Sequence, residues 1–214
     1  IQAKKVGEAL VRAEAADGSG ITAECKLVVK PRLVQAISLN ATQKNLVIGD
    51  SFTLTATLSP ENATNHNVIW KLVSGNAISL SNTGVIQAKK VGEALVRAEA
   101  ADGSGITAEC KLVVKPRLVQ AISLNATQKN LVIGDSFTLT ATLSPENATN
   151  HNVIWKLVSG DAISLSNTGV IQAKKVGEAL VRAEAADGSG ITAECKLVVK
   201  PRLVQAISLN ATQK

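Results

Sequence analysis

The chain has 214 residues, 45% of them hydrophobic but only 2% aromatic, with no Met and no Tyr, a composition suited to thin sheets of small aliphatic side chains and not to aromatic-lined ligand cages. No apolar run approaches the roughly 18 residues of a membrane-spanning helix, and no signal peptide is visible. The net charge of +6 is thinly spread: residues 33–117 hold eight Lys or Arg against six Asp or Glu, and without exposed aromatics for base stacking nucleic acid is not an expected partner.

Self-comparison settles the organisation. The segment beginning at Ile1 recurs at Ile86 and at Ile171, a period of 85 residues, and shifting the chain by one period leaves a single mismatch, Asn76 against Asp161. Units of this length exceed those of helical or leucine-rich solenoids and can each bury a core. The expected layout is a closing part of a repeat at 1–32, complete repeats at 33–117 and 118–202, and an opening strand of a further repeat at 203–214. Neither partial unit can bury its apolar face by itself, so the expectation is a window on a longer periodic polymer, or partial units completed by neighbouring chains.

Within the first complete repeat, Phe52, Leu54, Ala56 and Leu58 alternate with Ser and Thr, which predicts one half-buried strand over 51–58. Pro60 and Asn62 end it. Val68, Trp70 and Leu72 then form a second inward row with Ile69 and Lys71 opposite, and Trp70, like Trp155 one period later, is expected in the core. Short strands at Ile78–Leu80 and Val85–Ala88 follow, separated by turns at 74–76 and 82–84. In the next strand Ala94, Val96, Ala98 and Ala100 share one face, Asp102 to Gly105 closes a hairpin, and Ile106, Ala108, Cys110, Leu112 and Val114 face inward. Lys115, Pro116 and Arg117 form the joint to the next repeat, which opens with a strand from Leu118 and a kinked edge through Leu131 and Ile133 before Gly134 and Asp135. About seven short strands with regular turns and no helical periodicity predict an all-β, two-sheet sandwich in each repeat.

Read from Leu33, the order AISLN, LVIGDSFTLTATLSP, NATNHNVIWKL, NTGVIQAKKVGEALVRAEAADG and AECKLVV closely resembles the group 2 bacterial immunoglobulin-like domains. The telling pieces are the Gly49 turn into a Thr-rich strand, Pro60 and Asn62, Trp70, the step at Gly84 and Val85, Gly92, and the Cys110 strand. The resemblance implies an extracellular or cell-surface module, commonly strung in tandem within adhesins and large secreted enzymes, and carries over no catalytic residue and no cofactor.

Each repeat has a single Cys, at Cys25, Cys110 and Cys195, so no disulfide can close within a repeat, and the inward phase predicts small buried fillers. The lone His66 and His151 have no ligand-spaced partners, and Asp50, Glu61 and Asp102 lack the clustering that a hard cation requires. Lys89 with Lys90, and Lys115 with Arg117, read as solvated faces, with an anionic polymer as the alternative. Sequons begin at Asn40, Asn62, Asn125, Asn147 and Asn210. The expected function is a structural extracellular stalk or fibre of near-identical repeats, with other copies of the chain as partners and self-assembly into filaments. The alternatives are an adhesin module acting by avidity on a glycan or surface polymer, and an accessory array of a large secreted enzyme.

Overall fold

The structure is a computed structural model that describes residues 1–204; the opening strand expected over 203–214 lies, from residue 205 onward, outside the described residues. All regular structure among the described residues is β, and the chain divides into two compact units, Ile1–Lys115 and one beginning at Pro116.

The first unit starts with a hairpin of β1 (Gly7–Glu14) and β2 (Thr22–Val29), in register from Gly7 opposite Val29 to Glu14 opposite Thr22. An isolated ribbon of two strands has no second layer to lie on, and Leu10 and Ile21 are 63% and 70% exposed. This corrects the expectation for Cys25, which is exposed. Its counterpart Cys110 stands opposite Val96, as Cys25 does opposite Val11, and both Val96 and Cys110 are sealed in a core. The pairing is thus the same in the two hairpins, and burial differs because residues 1–32 contain no facing sheet.

The repeat that follows comprises β3 (Ala36–Leu39), β4 (Gln43–Val47), β5 (Ser51–Thr53), β6 (Ala56–Ser59), β7 (Val68–Gly75), β8 (Ile78–Leu80), β9 (Val85–Ala88), β10 (Gly92–Ala100) and β11 (Thr107–Lys115). These nine segments form one four-stranded sheet in the order β4-β11-β10-β7, a three-stranded sheet β5-β9-β8, and the pair β3-β6. Pairing is antiparallel except that β4 runs parallel to β11. The inward rows of both sheets interdigitate as in other sandwiches: Leu46, Leu54, Ile86, Val96, Cys110, Leu112 and Val114 form the main core, and Val34, Ala63 and Ala100 a smaller one.

Nine segments replace the seven expected because two strands change sheets midway. The predicted strand over 51–58 pairs first with β9 and then with β3. Between them the Leu54 N–H donates to the Gly84 carbonyl, and the Thr55 N–H to Asn40 Oδ1. Asn40 also donates from Nδ2 to the Thr53 carbonyl at 3.1 Å. Asn40 itself lies where the opening strand breaks into β3 and β4, and its amide side chain satisfies two backbone groups that the β5–β6 crossing leaves unpaired. The inward/outward alternation survives the crossing, which is why periodicity could not reveal it.

Two further expectations are corrected. Trp70 is half-buried, not enclosed: it packs on the rim of the main core beside Gly84, where an added Cβ would sit 3.0 Å from the indole. Leu72 is 40% exposed although it stands opposite the buried Val96, because β7 is the edge strand of its sheet; its pairing with β10 then steps to Ser74–Leu95, passing over Val73 in a bulge.

The second unit repeats this plan with β12 (Ala121–Leu124), β13 (Gln128–Val132), β14 (Ser136–Thr138), β15 (Ala141–Ser144), β16 (Val153–Ser159), β17 (Ile163–Leu165), β18 (Val170–Ala173), β19 (Gly177–Ala185) and β20 (Thr192–Lys200). Its sheets are β13-β20-β19-β16, β14-β18-β17 and β12-β15. Cys195 is fully buried in the equivalent core, with Trp155 half-buried against it.

Candidate functional site

The polar side chains of this fold mostly serve its own backbone. The Asp50 carboxylate accepts the Val47 N–H at 3.0 Å across a tight turn, as Asp135 does for Val132. His66 Nε2 lies 2.9 Å from the Glu61 carbonyl, and His151 Nε2 2.8 Å from that of Glu146. No group of three or more His, Cys, Asp or Glu side chains with metal-binding proximity occurs among the described residues, and no buried side-chain N or O atom among them lacks a hydrogen-bond partner. Burial pushes the Cys110 and Cys195 thiols above their ordinary range.

The most organised polar geometry surrounds the segment by which the chain enters each sandwich. In the first unit the Arg32 N–H donates to Thr64 Oγ1, the Thr64 N–H donates back to the Arg32 carbonyl, both at 2.8 Å, and Arg32 Nη1 donates to Asn62 Oδ1. Next the Val34 N–H donates to Asp102 Oδ2 at 2.6 Å and the Gln35 N–H to the Ser59 carbonyl at 2.7 Å. The second unit repeats this: Arg117 with Thr149 in both directions, Val119 to Asp187 at 2.6 Å, and Gln120 to Ser144.

Asp102 is therefore both a turn residue, accepting the Ser104 N–H at 2.9 Å, and a pin for a backbone donor 68 positions earlier. Hydrogen bonding from Ser104, and then from the Val34 N–H, holds its carboxyl below the ordinary range; Ser189 and Val119 do the same for Asp187.

The joint residues fall on either side of this machinery. Lys115 is the last residue of β11, pairs with Val47, and accepts the Ile48 N–H through its carbonyl at 3.1 Å. Arg117 has both backbone groups bonded to Thr149. Only Pro116 separates these two anchored residues. One period after Arg117, Arg202 donates from Nε to the Ile133 carbonyl at 3.2 Å and places Nη2 3.6 Å from Asp135. Thr64, Thr149, Asp102 and Asp187 were not singled out as anchors by sequence reasoning; the Asp-Gly-Ser-Gly turn signals the local bond but not the distant one.

The charged residues sort into two sets. On the outer face of the four-stranded sheet Lys71 meets Glu99, Arg97 meets Glu109 and Lys111 meets Glu93, at 2.5, 2.7 and 3.1 Å, and the second unit has the same three pairs. The one substitution between copies adds a surface ion pair, Asp161 with Lys175. By contrast Lys4, Lys5, Lys30 and Arg32 border one open groove with Asn62 and Thr64; the same residue types recur at Lys89, Lys90, Lys115, Arg117, Asn147 and Thr149. Of the sequons, Asn40 and Asn125 have both amide ends engaged, and Asn210 lies outside the described residues.

The profile described as "Bacterial Ig-like domain (group 2)" matches residues 33–110 and 118–195. An uncharacterized protein of Clostridium acetobutylicum is 32% identical over 167 residues, 78% of this chain and 17% of its own length. An "Ig-like virion protein" of Serratia phage KSP90 is 28% identical over 160 residues, 73% of this chain and 62% of its own length. The chain thus spans less than two thirds of either relative. Among solved structures, the surface layer protein SbsC (domains 1–6) is similar over 93% of this chain and 36% of that one, at 13% identity and a TM-score of 0.39. Protocadherin gammaB7 EC3-6 is similar over 90% and 58%, at 12% identity and a TM-score of 0.39.

Proposed function

The chain belongs to the group 2 bacterial immunoglobulin-like domains, and from that premise we propose that it serves as a length of extracellular structural stalk or fibre, without catalysis of its own, in which each repeat adds reach. The observation that carries this reading is the joint. Near-identical sandwiches recur every 85 residues, and the backbone is hydrogen-bonded at Lys115 and again at Arg117, so the one residue between the anchors is a proline with its φ fixed. Proline also restricts Lys115 before it. Pinning of this kind suits transmission of length and load, and the near-identity of the copies suits a property that accumulates along an array.

Electron microscopy of the native material tests the proposal. The expected result is an axial repeat matching one 85-residue unit, about 35–45 Å for strands rising some 3.3 Å per residue plus their turns. Arrays that coil without axial order would refute it.

A second reading, avidity for an anionic surface polymer, is favoured by the groove bordered by Lys4, Lys5, Lys30 and Arg32. Its discriminating measurement is retention on an acidic polysaccharide that falls steeply with added salt; retention independent of salt, or none, removes it.

A further inference from the structure

We propose that β7, and β16 one period later, is a lateral docking edge at which a second copy of this chain adds in antiparallel register. The inference deepens the fibre reading above by naming where neighbouring chains meet, and it rests on that reading for its biological setting.

Edge strands expose a row of unpaired backbone N–H and C=O groups, and folded proteins protect themselves by keeping such edges short, charged or covered. The other edges of this repeat follow that rule: β5 and β8 have three residues, β3 and β6 four, and β4 five, with Lys44 on it. β7 departs from it. It has eight residues, about 26 Å of edge, and among the described residues is bonded along one side, to β10. Its exposed side chains include Ile69, Leu72 and Val73 at 44%, 40% and 43%. In the second unit β16 occupies the same place, with Ile154, Leu157 and Val158 at 45%, 39% and 43%.

Charge decides between occupants. The chain is cationic overall, yet Lys71 on this edge is paired to Glu99, and the adjoining strands carry the Arg97–Glu109 and Lys111–Glu93 pairs. A polyanion would find these cations already neutralised, whereas an identical edge would meet no net repulsion. Two copies of one edge related by a two-fold axis supply matching donors and acceptors, so the contact closes on itself. Each chain carries two complete repeats and hence two such edges, and engagement of one raises the effective concentration of the other wherever the geometry permits both.

The test compares the 214-residue chain with its Ile69→Lys/Ile154→Lys and Val73→Lys/Val158→Lys variants. Sedimentation velocity over a concentration series is combined with amide hydrogen exchange on the unaltered chain. The expected result is reversible self-association, with exchange at 69–74 and 154–159 slowed at high concentration, and at least a tenfold weaker dissociation constant in both variants. A chain that stays monomeric at millimolar concentration overturns the proposal. So does association with those amides unprotected, a result that needs no variant to fold. Either failure leaves the stalk reading standing if microscopy shows the axial repeat; loss of that repeat with the edges still pairing would overturn the stalk alone.

Discussion

If each complete repeat is its own cooperative unit, damaging one core should leave the other untouched. Leu54 is 1% exposed in the main core of the first unit, and Leu139 is 1% exposed at the same place in the second. Leu54→Ala removes three carbons, worth about 2.4 kcal/mol of transfer at roughly 0.8 kcal/mol each, and the residual cavity raises the cost to about 3–5 kcal/mol. A domain of 85 residues has a total stability of about 4–13 kcal/mol, and each kcal/mol moves its midpoint by about 4–8 °C. A cost near 3 kcal/mol therefore lowers the melting of the first repeat by about 12–24 °C. Differential scanning calorimetry of the 214-residue chain should show nearly superimposed transitions for the unaltered protein and two separated ones for Leu54→Ala. Leu139→Ala should mirror that pattern. A single transition that shifts as a whole in either variant would refute independence and show that the repeats unfold as one body.

Gly84 has φ +81°, and an added Cβ would stand 2.4 Å from the Leu54 carbonyl and against the Trp70 ring, whereas Gly103 at φ +78° has open space around it. Chemical denaturation should show Gly103→Ala costing about 1–2 kcal/mol, the left-handed backbone penalty alone, and Gly84→Ala clearly more; equal costs would contradict the packing. Because the folded-state pKa of Asp102 and Asp187 is depressed below the ordinary 3.8, their stabilisation is complete above that value and is lost as pH falls through the folded-state pKa. Melting of Asp102→Asn/Asp187→Asn should accordingly fall less steeply than that of the unaltered chain on acidification below about pH 4, and parallel curves would remove the pin. Cys25 is exposed while Cys110 and Cys195 are buried with raised pKa, so a thiol reagent should titrate one group quickly and the other two only on unfolding. Rapid reaction of all three would contradict the buried placement.

Much of the fold was legible because alternation and repetition are local signals. The inward row Ala94, Val96, Ala98 and Ala100 and the row Cys110, Leu112 and Val114 are buried as their phase requires. What escaped the sequence depends on partners far along the chain. The crossing at Leu54–Thr55 leaves the alternation intact, and it shows in the strand pairing and in the bonds of Asn40 to Thr53 and Thr55. Leu72 keeps the inward phase opposite Val96 but is left 40% exposed because its strand ends the sheet, a place set by pairing that the phase does not reveal. Cys25 carries the same sequence context as Cys110, and its exposure follows from the absence of a facing sheet within residues 1–32. The entry anchors were invisible for a similar reason: nothing local in an Asp-Gly-Ser-Gly turn tells that its carboxylate reaches Val34.

As proposed above, repeats joined through Pro116 add reach in proportion to their number. Small-angle X-ray scattering of arrays containing two, four and eight complete repeats measures this directly. The expected result is a maximum dimension that grows linearly, by about 35–45 Å for each added repeat. Growth with the square root of repeat number, as for flexibly linked beads, would contradict it.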